Sequence, residues 1–414
     1  MHRSFVVLLS TVLVTGCSYL PWVGGEEDPR PPAELTNLTP AITVQTLWTQ
    51  RVGHGSNGRR LELVPAVQDN KIFAASADGT AAAVSTADGR VLWQRETKLP
   101  FSGGPGAEGT RVLIGSSDGS LVALSAADGT ELWRARVDSE ILSVPRPAGD
   151  IVVLHALDDT IYGFDALKGE QRWKYTYTPP VLTLRGSSSP AIAGTNAIVG
   201  LSGGKLVSLE LATGLTTWEV TVTPPHGRSD LERIADIDAD PVVVGGNVYV
   251  GTYNGDLAAV DLQSGAVLWR RALSTSAGLA AADGMLYVTD ANDTVWAARP
   301  SDGAGVWKQT ALKYRRLSPP AVIGDLVAVG DLEGYVHWLS RHDGRILART
   351  KIAGGPITAR PVAVGRTLYV LDDDGTLAAL SPGAAPPPRP PGPETRVDKQ
   401  PASGPSVESN SGED

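Results

Sequence analysis

The stretch "PVVVGGNVYVGTYNGDLAAVDLQSGAVLWRR", Pro241 to Arg271, decides the fold. It opens on a proline and a valine run, turns at Gly245-Gly246 and resumes at Val248–Thr252. Asn254-Gly255 marks a tight hairpin, because both residues accept the positive φ that such turns require. A third run, Asp256–Asp261, leads through Ser264-Gly265 to a fourth ending at Trp269. Short apolar runs bounded by turn residues read as four antiparallel strands.

The pattern recurs along the chain. Trp93, Trp133, Trp173, Trp218, Trp269 and Trp307 each follow a turn glycine by four residues. Gly344 keeps the turn, but Ala348 replaces the tryptophan. Pro65, Pro105, Pro145, Pro190, Pro241 and Pro320 open their units, with Leu279 standing in once, and the Trp position always falls 28 residues later. An eighth unit opens at Pro361 and stops after its third strand. Radial repetition of four-stranded units predicts an all-β, eight-bladed β-propeller over residues 41–381. The last unit lacks a fourth strand, whereas "AITVQTLWTQRV" (Ala41–Val52) has a strand and Trp48 but no unit of its own. The N-terminal strand is therefore expected to close the ring inside the last blade. The repeated tryptophans are expected to pack between blades.

The whole sequence has 414 residues, a formal charge of -9 and one cysteine. The acidic balance and scattered Lys and Arg argue against nucleic acid as partner. A single cysteine excludes an internal disulfide and thiolate-rich zinc sites. That cysteine ends the stretch Val14-Thr15-Gly16-Cys17, after Arg3 and an apolar run, Phe5–Val14, too short to span a bilayer. The motif resembles a bacterial lipoprotein signal. Residues 1–16 would then be the signal, Cys17 the acylated residue and 17–40 a lipidated tether. Each buried methylene adds roughly 0.8 kcal/mol of membrane affinity, so several acyl chains anchor durably. Residues 382–414 are rich in Pro and polar residues, cannot bury a core and read as a disordered tail.

With a constant 28-residue core, variation falls on the links between units. Those from blade 3 to 4 and from blade 4 to 5 span 17 and 23 residues, against 10 to 13 for the other internal links. All such links leave one face of a propeller, so the two long ones are expected to be neighbours and to form a binding surface. The first, "YTYTPPVLTLRGSSSP", offers Leu182, Leu184 and Arg185. The second, "TPPHGRSDLERIADIDADP", carries Arg228 and Arg233 and places Asp236, Asp238 and Asp240 at alternate positions. In an extended segment these carboxylates line one side.

The leader motif, the eight units, "LTLRGSSSP" and "RIADIDADPVVV" followed by "YNGDLAAVDLQSGAVLWRR" together resemble the BamB family, lipoproteins of the β-barrel assembly machinery in bacterial outer membranes. The resemblance covers the chain after the leader except the Pro-rich tail. It implies a non-enzymatic scaffold on the periplasmic face of the outer membrane. The implied partner is a periplasmic domain of BamA, met by Leu182, Leu184, Arg185, Asp236 and Asp238. Nascent outer-membrane proteins are a second class of partner that it admits.

Three rival chemistries are weaker. Asp236-x-Asp238-x-Asp240 begins like a calcium loop, but Pro241 stands where glycine must turn and Asn247 where a bidentate Glu belongs. A quinone-dependent dehydrogenase shares the repeat, yet many such enzymes use an adjacent-cysteine disulfide, which one acylated cysteine cannot supply. A periplasmic scaffold with another partner shares every feature except the connector motifs. His54, His155, His226, His337 and His342 show no metal-ligand spacing and read mostly as surface or turn residues. No cofactor or metal is expected.

Overall fold

A computed structural model describes residues 30–352 and 354–384. Cys17, the signal segment and the tail from residue 385 lie outside the described residues. Eight sheets follow one another around a ring, each built on four antiparallel strands, which in seven of them are consecutive in the chain. In blade 5 these are Val242–Val244, Asn247–Gly251, Asp256–Asp261 and Val267–Ala272, the four runs of the opening stretch. The last blade takes Thr376–Pro382 from the C-terminal side and Val44–Arg51 from the N-terminal side, paired from Val44↔Pro382 to Arg51↔Thr376. Closure by the N-terminal strand is thus as expected.

The core lies between blades. Each outer-strand indole rests on the third-to-fourth-strand turn of the next blade. Trp173 Nε1 donates to the Leu211 carbonyl at 2.7 Å and Trp218 Nε1 to the Leu262 carbonyl at 2.9 Å. Trp48 makes the same bond across the closure, to Thr86 at 3.1 Å. Beneath each ring sits the turn glycine. At Gly214, with φ of 71°, an added Cβ would come 2.6 Å from the Trp173 ring. The glycine is needed twice, for its left-handed backbone and for the indole above it.

This arrangement explains the missing tryptophan. A Trp at position 348 would need a third-to-fourth-strand turn in blade 8, but that blade's fourth strand arrives from the other end of the chain. Ile42 is buried in the same apolar cluster as Leu347 and Ala348, and the Ala41 N–H donates to the Leu347 carbonyl at 2.7 Å. The incoming chain occupies the place of the indole.

Three features depart from the sequence reading. The expected tail began at residue 382, but Pro382 pairs with Val44 and the Gly383 N–H donates to the Thr43 carbonyl at 2.7 Å. The expected tether ran to residue 40, but the chain is bound from Ala33 onward. Ala33 exchanges hydrogen bonds with blade 7's approach: its N–H reaches the Lys313 carbonyl at 2.9 Å, and its carbonyl accepts from the buried Arg315 guanidinium at 2.9 Å. Leu35 packs against the apolar cluster between blades 6 and 7. Blade 2 also gains a fifth strand, Glu62–Leu63, which pairs in parallel with Gly103 and Gly104 on the inner strand. It belongs to the leading connector, Val52 to Val64, which reaches across the mouth of the central channel.

The inter-blade packing makes a direct stability prediction. Trp173→Ala is expected to cost about 3–5 kcal/mol in denaturant unfolding, from the lost ring and the cavity left behind. Gly214→Ala is expected to cost at least about 1–2 kcal/mol, from the left-handed backbone alone. Loss of less than half these values would contradict the packing described.

Candidate docking surface

The two long connectors lie against each other, joined by the alternating carboxylates. Asp236 Oδ2 accepts from the Leu184 N–H at 2.6 Å and Oδ1 from the Gly203 N–H at 2.9 Å. Asp238 packs on Gly186, where an added Cβ would lie 2.5 Å from the carboxylate carbon. Asp240 Oδ1 accepts from the Ser189 N–H at 2.7 Å. The three residues do face one side of the chain. That side is the first connector, and each carboxylate meets a successive step of it between Leu184 and Ser189.

This placement revises the role expected for the acidic residues. Asp236 is only 1% exposed, and both its oxygens are used internally. It cannot be an exposed rim charge; it positions Leu184. Backbone N–H donors aimed at Asp236 and Asp240 also occupy directions that a cation would need, which argues against calcium binding by this run. Burial pushes the Asp236 pKa up against the pull of its two N–H donors. Asp238 is pushed up to about 7, by burial first and by the charge of Asp236 second, with Arg60 opposing.

The residues of the first connector are more open. Leu182 is 43% exposed, and Leu184 is half-buried. Arg185 keeps 45% of its side chain exposed while one edge is held, donating to Glu140 Oε1 at 2.6 Å and to the Arg60 carbonyl at 3.0 Å. Blade 3 pins the end of this connector through His155, whose Nδ1 lies 2.9 Å from the Ser188 carbonyl and Nε2 3.2 Å from Asp159. His155 and His337 are both buried, so they are blade-interior residues and not the surface histidines expected.

Two further exposed apolar residues lie on the connectors without having been singled out from the sequence. Val181 is fully exposed beside Leu182, and Leu231 is 69% exposed at the tip of the second connector. The tip is a compact turn in which Glu232 Oε2 accepts from the Arg228 and Ser229 N–H groups while Ser229 Oγ accepts from the Glu232 N–H. That reciprocal pattern is the capping box, and Ser229-x-x-Glu232 is its sequence mark. It holds Leu231 outward with Arg228 and Arg233 exposed beside it.

Asp238 ties this region to pH. Its folded pKa lies above the unfolded value near 3.9, so the stability linked to its proton is present in acid and lost as pH rises through about 7. The groups that act on it are Asp236, Asp159, Arg60 and His155. Asp238→Asn is expected to show a smaller fall in melting temperature between about pH 5 and about pH 8 than wild type. Equal slopes would contradict this assignment.

Comparison with known proteins places this geometry in a family. The model for outer membrane protein assembly factor BamB matches residues 41–101, 77–309 and 306–384. The chain is 47% identical over 380 residues to the outer membrane protein assembly factor BamB of Pseudomonas aeruginosa, covering 92% of this chain and 98% of that one. It is 34% identical over 385 residues to that of Escherichia coli K12, covering 90% and 97%. The crystal structure of BamB from Moraxella catarrhalis superposes with a TM-score of 0.76 at 27% identity, over 82% of this chain and 100% of that one. These matches run through the whole ring and both long connectors, and the dehydrogenase reading falls away: the chain belongs to the BamB family of outer membrane protein assembly factors, propellers that assist assembly and are not enzymes.

Proposed function

We propose that the chain is a lipid-anchored scaffold of the outer-membrane protein assembly machinery that docks on a periplasmic domain of BamA through its two long connectors. In this reading residues 1–16 are removed, Cys17 carries the lipid, and the propeller of residues 41–381 stands on the periplasmic face of the outer membrane.

One observation carries the proposal. Two neighbouring connectors, held together by buried carboxylates, present exposed apolar side chains around a half-exposed arginine. Apolar anchors beside an arginine are the composition that interface centres favour. Leu182 and Leu184 supply apolar contact, with Val181 and Leu231 extending it. Arg185 sets orientation through charge and its remaining donors. Asp236 and Asp238 act from behind, by fixing the loop that carries the other three. An interface built on this patch would bury about 1,200–1,600 Å² in total. Docked there, a rigid ring would hold the partner's domains in register as client strands approach the membrane.

The test is recovery of the BamA periplasmic region on the immobilised propeller. Leu182→Ala combined with Arg185→Ala is expected to weaken binding at least about tenfold, roughly 1.4 kcal/mol. Leu167→Ala, equally apolar and 69% exposed on a third-to-fourth-strand turn of the opposite face, is expected to bind as wild type. Full recovery by the folded double variant would remove the assigned surface. Cell fractionation tests the anchor: Cys17→Ala is expected to move the protein from the membrane to the soluble fraction, and unchanged membrane association would refute lipidation there.

A further inference from the structure

Beneath the connectors, where the inner strands converge, lies a cavity of about 370 Å³. That is within the roughly 300–1,000 Å³ range of small-molecule sites. Its charged residues break the repeat. In seven of the eight units the residue after the opening position is Ala, Gly or Val, from Ala66 to Val362; in blade 3 it is Arg146. At the position before the opening proline, blade 5 places Asp240 and blade 8 places Arg360. All three side chains line the cavity.

Their pairing is unequal. Arg146 Nη2 lies 3.4 Å from Asp240 Oδ2, and Arg360 Nη2 lies 3.9 Å from the same oxygen. The other oxygen of Asp240 already accepts the Ser189 N–H. A guanidinium carries five N–H donors. Among the described residues, Arg146 has only this one long side-chain hydrogen bond and Arg360 has none. One carboxylate therefore faces two cations, and most of their donors have no protein partner among the described residues, on side chains that line the cavity and keep 38% and 29% of their surface exposed. Burial first, and the like charge of Arg360, push the Arg146 pKa down, the direction expected when a cation lacks compensation.

We propose that this cavity binds a compact oxyanion, a phosphate or a carboxylate group, clamped between Arg146 and Arg360. Planar guanidinium forks match both groups in a bidentate manner, and a partly buried site strengthens such bonds. The walls need not repel the guest. Glu62, which is exposed, and Asp238 line the same cavity; the pKa of each is pushed up, that of Asp238 to about 7 by burial first, so the negative charge facing the guest is reduced near neutral pH. Arg60 adds a third guanidinium from the leading connector, with no side-chain hydrogen bond or ion pair among the described residues. The residues above the site, Leu184 and Arg185, belong to the proposed docking surface, but the assignment of the cavity does not depend on what docks there.

Isothermal titration of the full mature chain with sodium phosphate and, separately, with sodium succinate tests the site, at ionic strength held constant with chloride. Wild type is expected to bind at least one of the two saturably, at one equivalent per chain, and which one binds identifies the group. Arg360→Gln is expected to weaken that binding at least about tenfold. Arg146→Lys keeps a cation beside Asp240 but loses the fork, so it is expected to fold as wild type and still bind more weakly. Absence of saturable binding by both anions at millimolar concentration, or equal affinity in wild type and Arg146→Lys, would overturn the proposal.

Discussion

Everything in this molecule depends on a ring that must close on itself with equal steps. The step is set by one contact, the indole of an outer strand lying on the turn glycine of the next blade and donating to a carbonyl there. The contact leaves no room for a side chain under the ring, which is why glycine recurs where the Trp of the preceding blade lands. It also shows where the chain was cut to make a ring from a line. At the seam between blades 7 and 8 there is no receiving turn, so Ala348 replaces the tryptophan and the incoming N-terminal segment fills its place. A ring closed in this way exposes no seam between its first and last blades.

A uniform ring frees its connectors to vary. Two long ones lie next to each other, and a long loop binds more tightly when its shape is fixed before the partner arrives, because less ordering is left to do. Here the fixing comes from carboxylates turned inward. Asp236 spends both oxygens on backbone N–H groups from two different segments, taking the place of water at Leu184 and Gly203. Burying a carboxylate is unfavourable unless its acceptors are used, and two backbone donors supply that compensation. The reward appears on the outer surface, where Leu182, Leu231 and Arg185 stand in defined positions.

The fold was legible because the repeat is carried by residues with strong local requirements: glycine at left-handed turns, proline at strand starts, tryptophan at a fixed distance. The adjacency of the long connectors followed from topology alone. What could not be read was direction. Alternation places Asp236, Asp238 and Asp240 on one side of the chain, but whether that side meets solvent or another loop is decided by residues some 50 positions away, at Leu184 and Ser189. The short parallel strand Glu62–Leu63 has too few residues for any periodicity. The docking of residues 33 to 43 rests on backbone hydrogen bonds to Arg315 and Leu347 and on two isolated apolar side chains, Leu35 and Ile42, too few to make a pattern in the segment itself. His155 and His337 sit inside blades because buried carboxylates there, Asp159 and Asp331, need partners.

A hidden carboxylate, Asp236, thus fastens the connectors that form the proposed docking surface. Amide hydrogen exchange at Leu184 and Gly203, read in wild type and in Asp236→Ala, tests it most directly. If Asp236 fastens the connectors, both amides lose protection in the variant by at least about tenfold while the amides of the blade strands keep theirs. Unchanged protection at Leu184 and Gly203 would mean the connectors hold their shape without Asp236, and the account would fail.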